Sequence, residues 1–284
     1  MNILDDLKLQ YRTGGMVQKL IFWNIGCFLL SLVFFYSFSV GIFQIPTWIA
    51  LSSDIGTFVK APWTLVTFNF FHYGFFHLIF NLMVLHFAGR LFSTYFTDKQ
   101  LLGVYILGGI FSGLTFILSY IVIAKVGLLV GASGAIMAIL LSATTYAPFM
   151  LLRIPLIGIV KLWHVTFVIL LVDLIQLPLD NTGGHIAHLG GALFGFIYIK
   201  LLQSGIDLSK GISMILDFFV NVFKPKKKTP FIKVHRNTTK KVVNSFTEKD
   251  ITQKQIDDIL DKISKSGYDS LTKEEKEFLF KAGK

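Results

Sequence analysis

The sequence predicts an all-α membrane protein, a bundle of six spanning helices followed by a small helical extension. Composition points there first: 53% of the 284 residues are hydrophobic, 15% are charged, and the mean hydropathy is +0.63, outside the range of soluble domains. The apolar residues gather into six runs, at 19–41, 75–95, 101–124, 131–148, 162–178 and 185–202. Each is near the roughly 20 residues that a helix needs to cross about 30 Å of hydrocarbon. The third observation is where the basic residues stand. Lys8, Arg12 and Lys19 precede the first run, Arg90 and Lys99 flank the loop after the second, Arg153 and Lys161 the loop after the fourth, and a lysine cluster at 224–228 follows the sixth. This alternation is the positive-inside pattern, so both termini are expected on the cytoplasmic side of a cell (inner) membrane, with Lys60 and Lys125 as mild exceptions. It also accounts for the net charge of +10 without a nucleic-acid partner; the bilayer is the expected one.

Residues 1–18 are polar and read as a short cytoplasmic N-terminus. The first run is too long, and too lacking in a small-residue cleavage site, for a removed signal peptide, and is expected to remain as an anchor. The lone Cys27 within it cannot found a disulfide framework. Residues 42–72 mix Trp48, Phe58, Trp63, Phe68 and Phe70 with Pro46, Pro62 and polar residues, a composition suited to headgroup level. In the second run, His77 and Asn81 stand four residues apart, on one helix face and about 6 Å apart along the axis. Polar groups in hydrocarbon need partners or a watery cavity. These two residues therefore read either as interhelical glue or as parts of a site. His72 and His86 read as interfacial or satisfied structural histidines, and Gly103, Gly108, Gly109 and Gly113 in the third run as close packing.

The fourth run opens with Gly131-Ala132-Ser133-Gly134. Without a Cβ on Gly131 or Gly134, backbone and a neighbouring helix can approach the hydroxyl, and backbone N–H groups can point at a developing oxyanion. By itself such a serine reads first as a packing residue. In the fifth run Asp173 is costly unless paired or wet, and it is open as the third member of a Ser-His-Asp triad. Lys161, Trp163 and His164 read as an anchor at the inner interface. The sixth run opens with Gly183-Gly184-His185-Ile186-Ala187-His188, and its Gly191 and Gly195 form a Gly-x-x-x-Gly face expected to pack on the fourth helix.

Three motifs in order, His77-x-x-x-Asn81, Gly131-x-Ser133-Gly134 and Ala187-His188-x-x-Gly191-x-x-x-Gly195, resemble the pattern of the rhomboid family of intramembrane serine proteases over roughly residues 20–203. The resemblance implies a six-transmembrane-helix rhomboid bundle and a Ser-His dyad of Ser133 and His188, with the oxyanion held by His77, Asn81 and Ser133 itself. It implies cleavage of transmembrane segments near the outer face, with small residues about the cut and with no metal or other cofactor. A dyad leaves Asp173 as an interfacial residue near Pro178. Three departures from the family pattern stand out. The Trp-Arg pair frequent in the first loop is missing. Ser93 stands where many relatives carry a glutamate. Met137 replaces the tyrosine that in many relatives stacks on the catalytic histidine; its polarizable sulfur can pack on an imidazole ring, so altered support is expected.

The residues themselves support a shared site. With the N-terminus inside, the second, fourth and sixth helices all run inward, so His77, Asn81, Ser133 and His188 fall within their first two turns, at most about 10 Å below the outer surface. Between the two candidate bases, packing decides. Gly191 and Gly195 lie on the face of His188 and clear its approach to the helix of Ser133. From His185 the same offsets give His188 and Ala192, and His185 is about 4.5 Å nearer the surface. His188 is therefore assigned the base, and His185 is expected to be a wet outer-rim residue. Two other classes stay open, a rhomboid-like pseudoprotease that binds membrane clients without cutting, and a transporter. The second would place paired polar residues near the midplane of repeated halves, and neither repeat nor midplane cluster is seen.

After the catalytic domain, 19–203, an amphipathic and basic linker is expected over 204–246, lying on an anionic inner leaflet or merely solvated. A small helical cytoplasmic hairpin follows over 247–284. Its first helix carries Ile256, Ile259, Leu260 and Ile263 as a stripe and stops at Gly267. Thr272 with Glu275 forms a capping box that starts a second helix bearing Phe278 and Leu279. It is similar to small cytoplasmic appendages of some bacterial rhomboids.

Overall fold

The computed structural model describes residues 2–155, 157–179, 181–223 and 248–282. The chain forms two compact units, residues 1–225 and 226–284. The first opens with α1 (Ile3–Thr13) and α2 (Met16–Phe34), followed by a short hairpin, β1 (Tyr36–Ser37) and β2 (Ile42–Phe43). Then come β3 (Leu51–Ser52), the short helices α3 (Ile55–Lys60) and α4 (Thr64–Thr67), a 3-10 turn at Phe68–Phe70, and the long helices α5 (Phe75–Ser93) and α6 (Asp98–Val122). β4 (Leu128–Leu129) leads into α7 (Ser133–Tyr146); a hairpin of β5 (Leu151–Ile154) and β6 (Gly158–Lys161) leads into α8 (Leu162–Gln176), and α9 (Thr182–Gln203) and α10 (Ser209–Phe223) complete the unit. All six expected apolar helices form: α2, α5, α6 and α9 have the length and apolarity to cross a membrane, whereas α7 and α8, at 14 and 15 residues, are shorter.

α7 is the centre of the bundle. Almost every residue from Gly134 to Thr144 is buried, and α7 packs on α9, α6 and α5. Small residues permit this, because helices in lipid associate by close van der Waals contact rather than by escape from water. Gly108 of α6 faces Ala138, Gly113 receives Leu51 and Phe68, and Gly134 faces Ser112. Buried polar groups pin the layers: Asn24 Nδ2 donates to the Tyr105 hydroxyl at 3.2 Å, and that hydroxyl donates to the Asn69 carbonyl at 2.9 Å, joining α2, α6 and the first loop.

The first loop is built more tightly than an interfacial segment requires. β3 pairs antiparallel with β4, and Gly131 N–H donates to the Phe68 carbonyl at 2.9 Å. Phe68 is buried while Trp48 and Trp63 are exposed, the Trp63 indole N–H donating to the Trp48 carbonyl. α10 is amphipathic as expected, yet it packs on α6. Ser209 fits against Gly103, and Asp207 accepts hydrogen bonds from Tyr198, Gln100 and Ser209. Burial opposes ionisation of Asp207, but the Ser209 bonds lead those that hold its carboxyl below the usual range. The 224–228 lysines lie outside the described residues.

In the second unit, α11 (Glu248–Ser266) and α12 (Lys273–Ala282) are joined by a short turn, with Ile259 and Leu271 buried. Thr272 N–H donates to Glu275 Oε2 at 2.7 Å and Glu275 N–H to Thr272 Oγ1 at 3.3 Å, a reciprocal cap. Lys262 adds an ion pair to Glu275 at 2.9 Å.

Candidate active site

Ser133 is the first residue of α7, and the chain reaches it through Gly131 at φ +133°. That backbone conformation is open to glycine and strained for other residues. A Cβ at Gly131 would also stand 3.0 Å from Nε2 of His77 and 3.8 Å from Ser133 Oγ, so the missing side chain is what lets the imidazole come close to the serine. The Ser133 N–H belongs to the first turn of α7, where backbone donors have no partner within the helix. Its hydroxyl takes no hydrogen-bond partner among the described residues.

α9 brings the base. Gly191 lies against the Gly134 carbonyl and Gly195 against the Ala138 carbonyl, so α7 and α9 touch backbone to backbone. His188, one turn before Gly191, thereby reaches the head of α7. Ser133, His188, His77, Asn81 and Met137 all line one cavity of about 660 Å³, together with apolar residues of α5 and α8 such as Phe80, Val84, Val168 and Val172. The four polar residues drawn from three separate motifs are thus brought together, and Met137 is buried beside them at the position where many relatives place tyrosine. Asn81 donates one Nδ2 hydrogen to the His77 carbonyl at 2.8 Å, which leaves its second hydrogen free.

Three sequence expectations change. Asp173 belongs to the site and is not left outside it: it is 6% exposed, and its Oδ1 lies 2.8 Å from His188 Nδ1 and 2.7 Å from His185 Nδ1. His185, consequently, is not a wet rim residue, since its side chain is 12% exposed and engaged. His72 is neither interfacial nor satisfied. It is fully buried, neither ring nitrogen has a hydrogen-bond partner among the described residues, and its ring stands edge-on to His77 with centroids 5.0 Å apart. Burial, with His77 as the second cause, pushes the His72 imidazole down to about 3, which keeps it a neutral wall behind His77. Helical spacing of the separate runs carries no sign of these contacts. The one available signal was the cost of a lone carboxylate in an apolar run. His86 is exposed at the opposite end of α5, and Ser93, in the site of the family glutamate, is exposed there too.

Asp173, His185 and His188 offer three ligand atoms within 4.8 Å of one another, a donor set that would suit a divalent cation. The same atoms are already paired in a way that suits proton transfer, with a carboxylate behind an imidazole whose other nitrogen is left over.

Comparison with known proteins bears on the family. Residues 59–204, just over half of the chain, match the rhomboid domain, and residues 243–281 match a family of unknown function, DUF6576. Among curated relatives, the presenilin-associated rhomboid-like protein A, mitochondrial, of Danio rerio is 33% identical over 141 residues, 48% of this chain and 36% of that protein. The presenilin-associated rhomboid-like protein, mitochondrial, of Homo sapiens is 30% identical over 147 residues, 49% of this chain and 37% of its own length. The matched region spans little more than a third of these relatives. The domain match covers the end of the first loop and every helix from α5 to α9, and therefore all the residues that line the Ser133 cavity; on that ground the chain belongs to the rhomboid family.

Proposed function

We propose that the chain is an intramembrane serine endopeptidase that cuts transmembrane segments of other membrane proteins. The observation that carries this reading is the unengaged Ser133 hydroxyl sharing a cavity with His188, whose Nδ1 is already bound to Asp173. Nε2 is then the nitrogen left to accept the serine proton. As Oγ attacks the scissile carbonyl carbon, the proton passes to Nε2. The oxyanion is met by the Ser133 N–H, the spare N–H of Asn81 and the ring of His77. Collapse of the tetrahedral intermediate expels the amine, which takes the proton back from His188, and water entering the cavity releases the acyl enzyme by the same steps. The apolar cavity walls from α5 and α8 suit a segment arriving from lipid, and that segment must unwind, because a helix hides its peptide bonds in its own hydrogen-bond ladder.

The test is covalent labelling of detergent-purified protein by a fluorophosphonate probe. Labelling is expected for the wild type and lost in Ser133→Ala. A wild type that binds a single-span client but neither labels nor cuts would favour the alternative, a rhomboid-like pseudoprotease. Cleavage of a single-span substrate is expected to proceed at the same rate in EDTA. Activity lost to chelator and restored by zinc would show that Asp173, His185 and His188 serve as a metal site and not as acid–base groups.

We place the protein in a cell membrane with both termini cytoplasmic, on the strength of the basic flanks and the even number of apolar helices. In a Cys27→Ser background, a cysteine at position 270 should resist an impermeant thiol reagent in intact cells and react after permeabilisation. Ready labelling of intact cells would reverse this orientation.

A further inference from the structure

Asp173 is an acidic residue on a helix whose outward side is apolar, and it is the one buried residue among the last ten of α8. A carboxylate there is tolerated only with strong partners. Among the described residues it has two, and both meet the same oxygen: Nδ1 of His185 at 2.7 Å and Nδ1 of His188 at 2.8 Å. The two histidines stand three residues apart on α9 with their rings edge-on, 5.8 Å between centroids. An ionised carboxylate oxygen only accepts, so each Nδ1 must carry its hydrogen, and each neutral ring then has its lone pair on Nε2.

From this we infer that Asp173 is a positioning residue for the base: it holds His188 in the tautomer whose Nε2 can take the Ser133 proton, and His185 competes with His188 for the same oxygen. The inference rests on the proteolytic reading for its catalytic meaning, and it goes beyond the two-residue mechanism that the family pattern implies. Since Asp173 rides on α8 and the base on α9, the base is oriented only while that end of α8 is seated against α9. The other titratable groups that face His188 are His77 of α5 and Tyr73 ahead of it, on the far side of the cavity. Neither touches the Asp173 oxygen, so the two partners of that oxygen can be removed one at a time.

The predicted consequences have opposite signs. Asp173→Asn removes the charge that favours the imidazolium and frees the ring to take the wrong tautomer. It should lower kcat by about 10²-fold or more, leave KM within about twofold, and move the acid limb of the labelling-rate profile to lower pH. His185→Ala leaves the whole oxygen to His188, so it should keep the larger part of the activity and move the same limb to higher pH. Asp173→Glu should recover part of the lost rate. A tautomer readout that needs no activity completes the test: in ¹⁵N-histidine-labelled full-length protein in detergent, His188 should be Nδ1-protonated in the wild type and a tautomer mixture in Asp173→Asn. Should Asp173→Asn not fold, His185→Ala and the wild-type tautomer still decide. A limb that His185→Ala leaves in place or shifts downward, or an Nε2-protonated His188 in the wild type, would overturn the proposal. A wild type with the Nδ1–H tautomer but no labelling at Ser133 would instead overturn the proteolytic reading and leave the Asp–His–His arrangement standing.

Discussion

His188→Ala is expected to abolish both cleavage and fluorophosphonate labelling, a loss of about 10⁴-fold or more, since a serine hydroxyl without a base is a poor nucleophile at neutral pH. His185→Ala, although it removes an equally large ring bound to the same carboxylate oxygen, should retain most of both. The contrast comes from position. His188 stands on the turn of α9 that Gly191 lets settle against α7, and it lines the cavity with Ser133. His185 is one turn nearer the helix start, and its contact is with Asp173. Measured side by side in one detergent, the reverse pattern would place the active centre one helical turn away.

The second large effect concerns stability. At Gly191 a Cβ would fall on the Gly134 carbonyl oxygen, a backbone atom that no rotamer change can move aside. Gly191→Val must therefore part α7 from α9 along their main contact. Overpacking in a close-packed interior costs typically 1–3 kcal/mol, and the displaced residue is the immediate neighbour of Ser133. A thermal midpoint several degrees lower and a cleavage rate reduced by about 10²-fold are expected together, because catalytic geometry does not tolerate a shift of about 1 Å. Gly26→Val on α2, where an added Cβ meets nothing within 4 Å, is the control and should change neither. A Gly191→Val protein with wild-type midpoint and rate would show that the two backbones are not in contact.

The apolar helices and the polar end of the bundle were legible because each depends on a short stretch of chain: run length sets the spans, and a four-residue spacing sets a face. Ser133, His77, Asn81 and His188 were legible for the same reason, each standing near the start of its own helix. What escaped depends on how separate stretches meet. Asp173 lies three residues from the end of α8, a place that by depth alone could be interfacial; only the approach of α8 to α9 shows that two histidines claim it. His72 precedes α5 and reads as a loop residue until the loop folds it behind His77. The pairing of Leu51–Ser52 with Leu128–Leu129 joins two-residue segments far apart in the chain, too short to leave a period-2 pattern. Amphipathicity revealed α10 but not which surface receives it, since Gly103 and Ser209 meet only in the folded bundle.

The shortness of α7 and α8 bears on the lipid as well as on the protein. At 1.5 Å per residue they are about 21 and 22 Å long, against about 30 Å of average hydrocarbon. α7 is enclosed by other helices, but α8 presents Phe167, Leu171, Leu174 and Ile175 outward. Acyl chains beside it must therefore shorten to match, at a cost of fractions of a kcal/mol per ångström of mismatch. Under the proteolytic reading proposed above, a client helix of ordinary length that drifts into this collar would have more apolar length than the membrane covers, and hydrophobic mismatch would then help to unwind its end before cleavage.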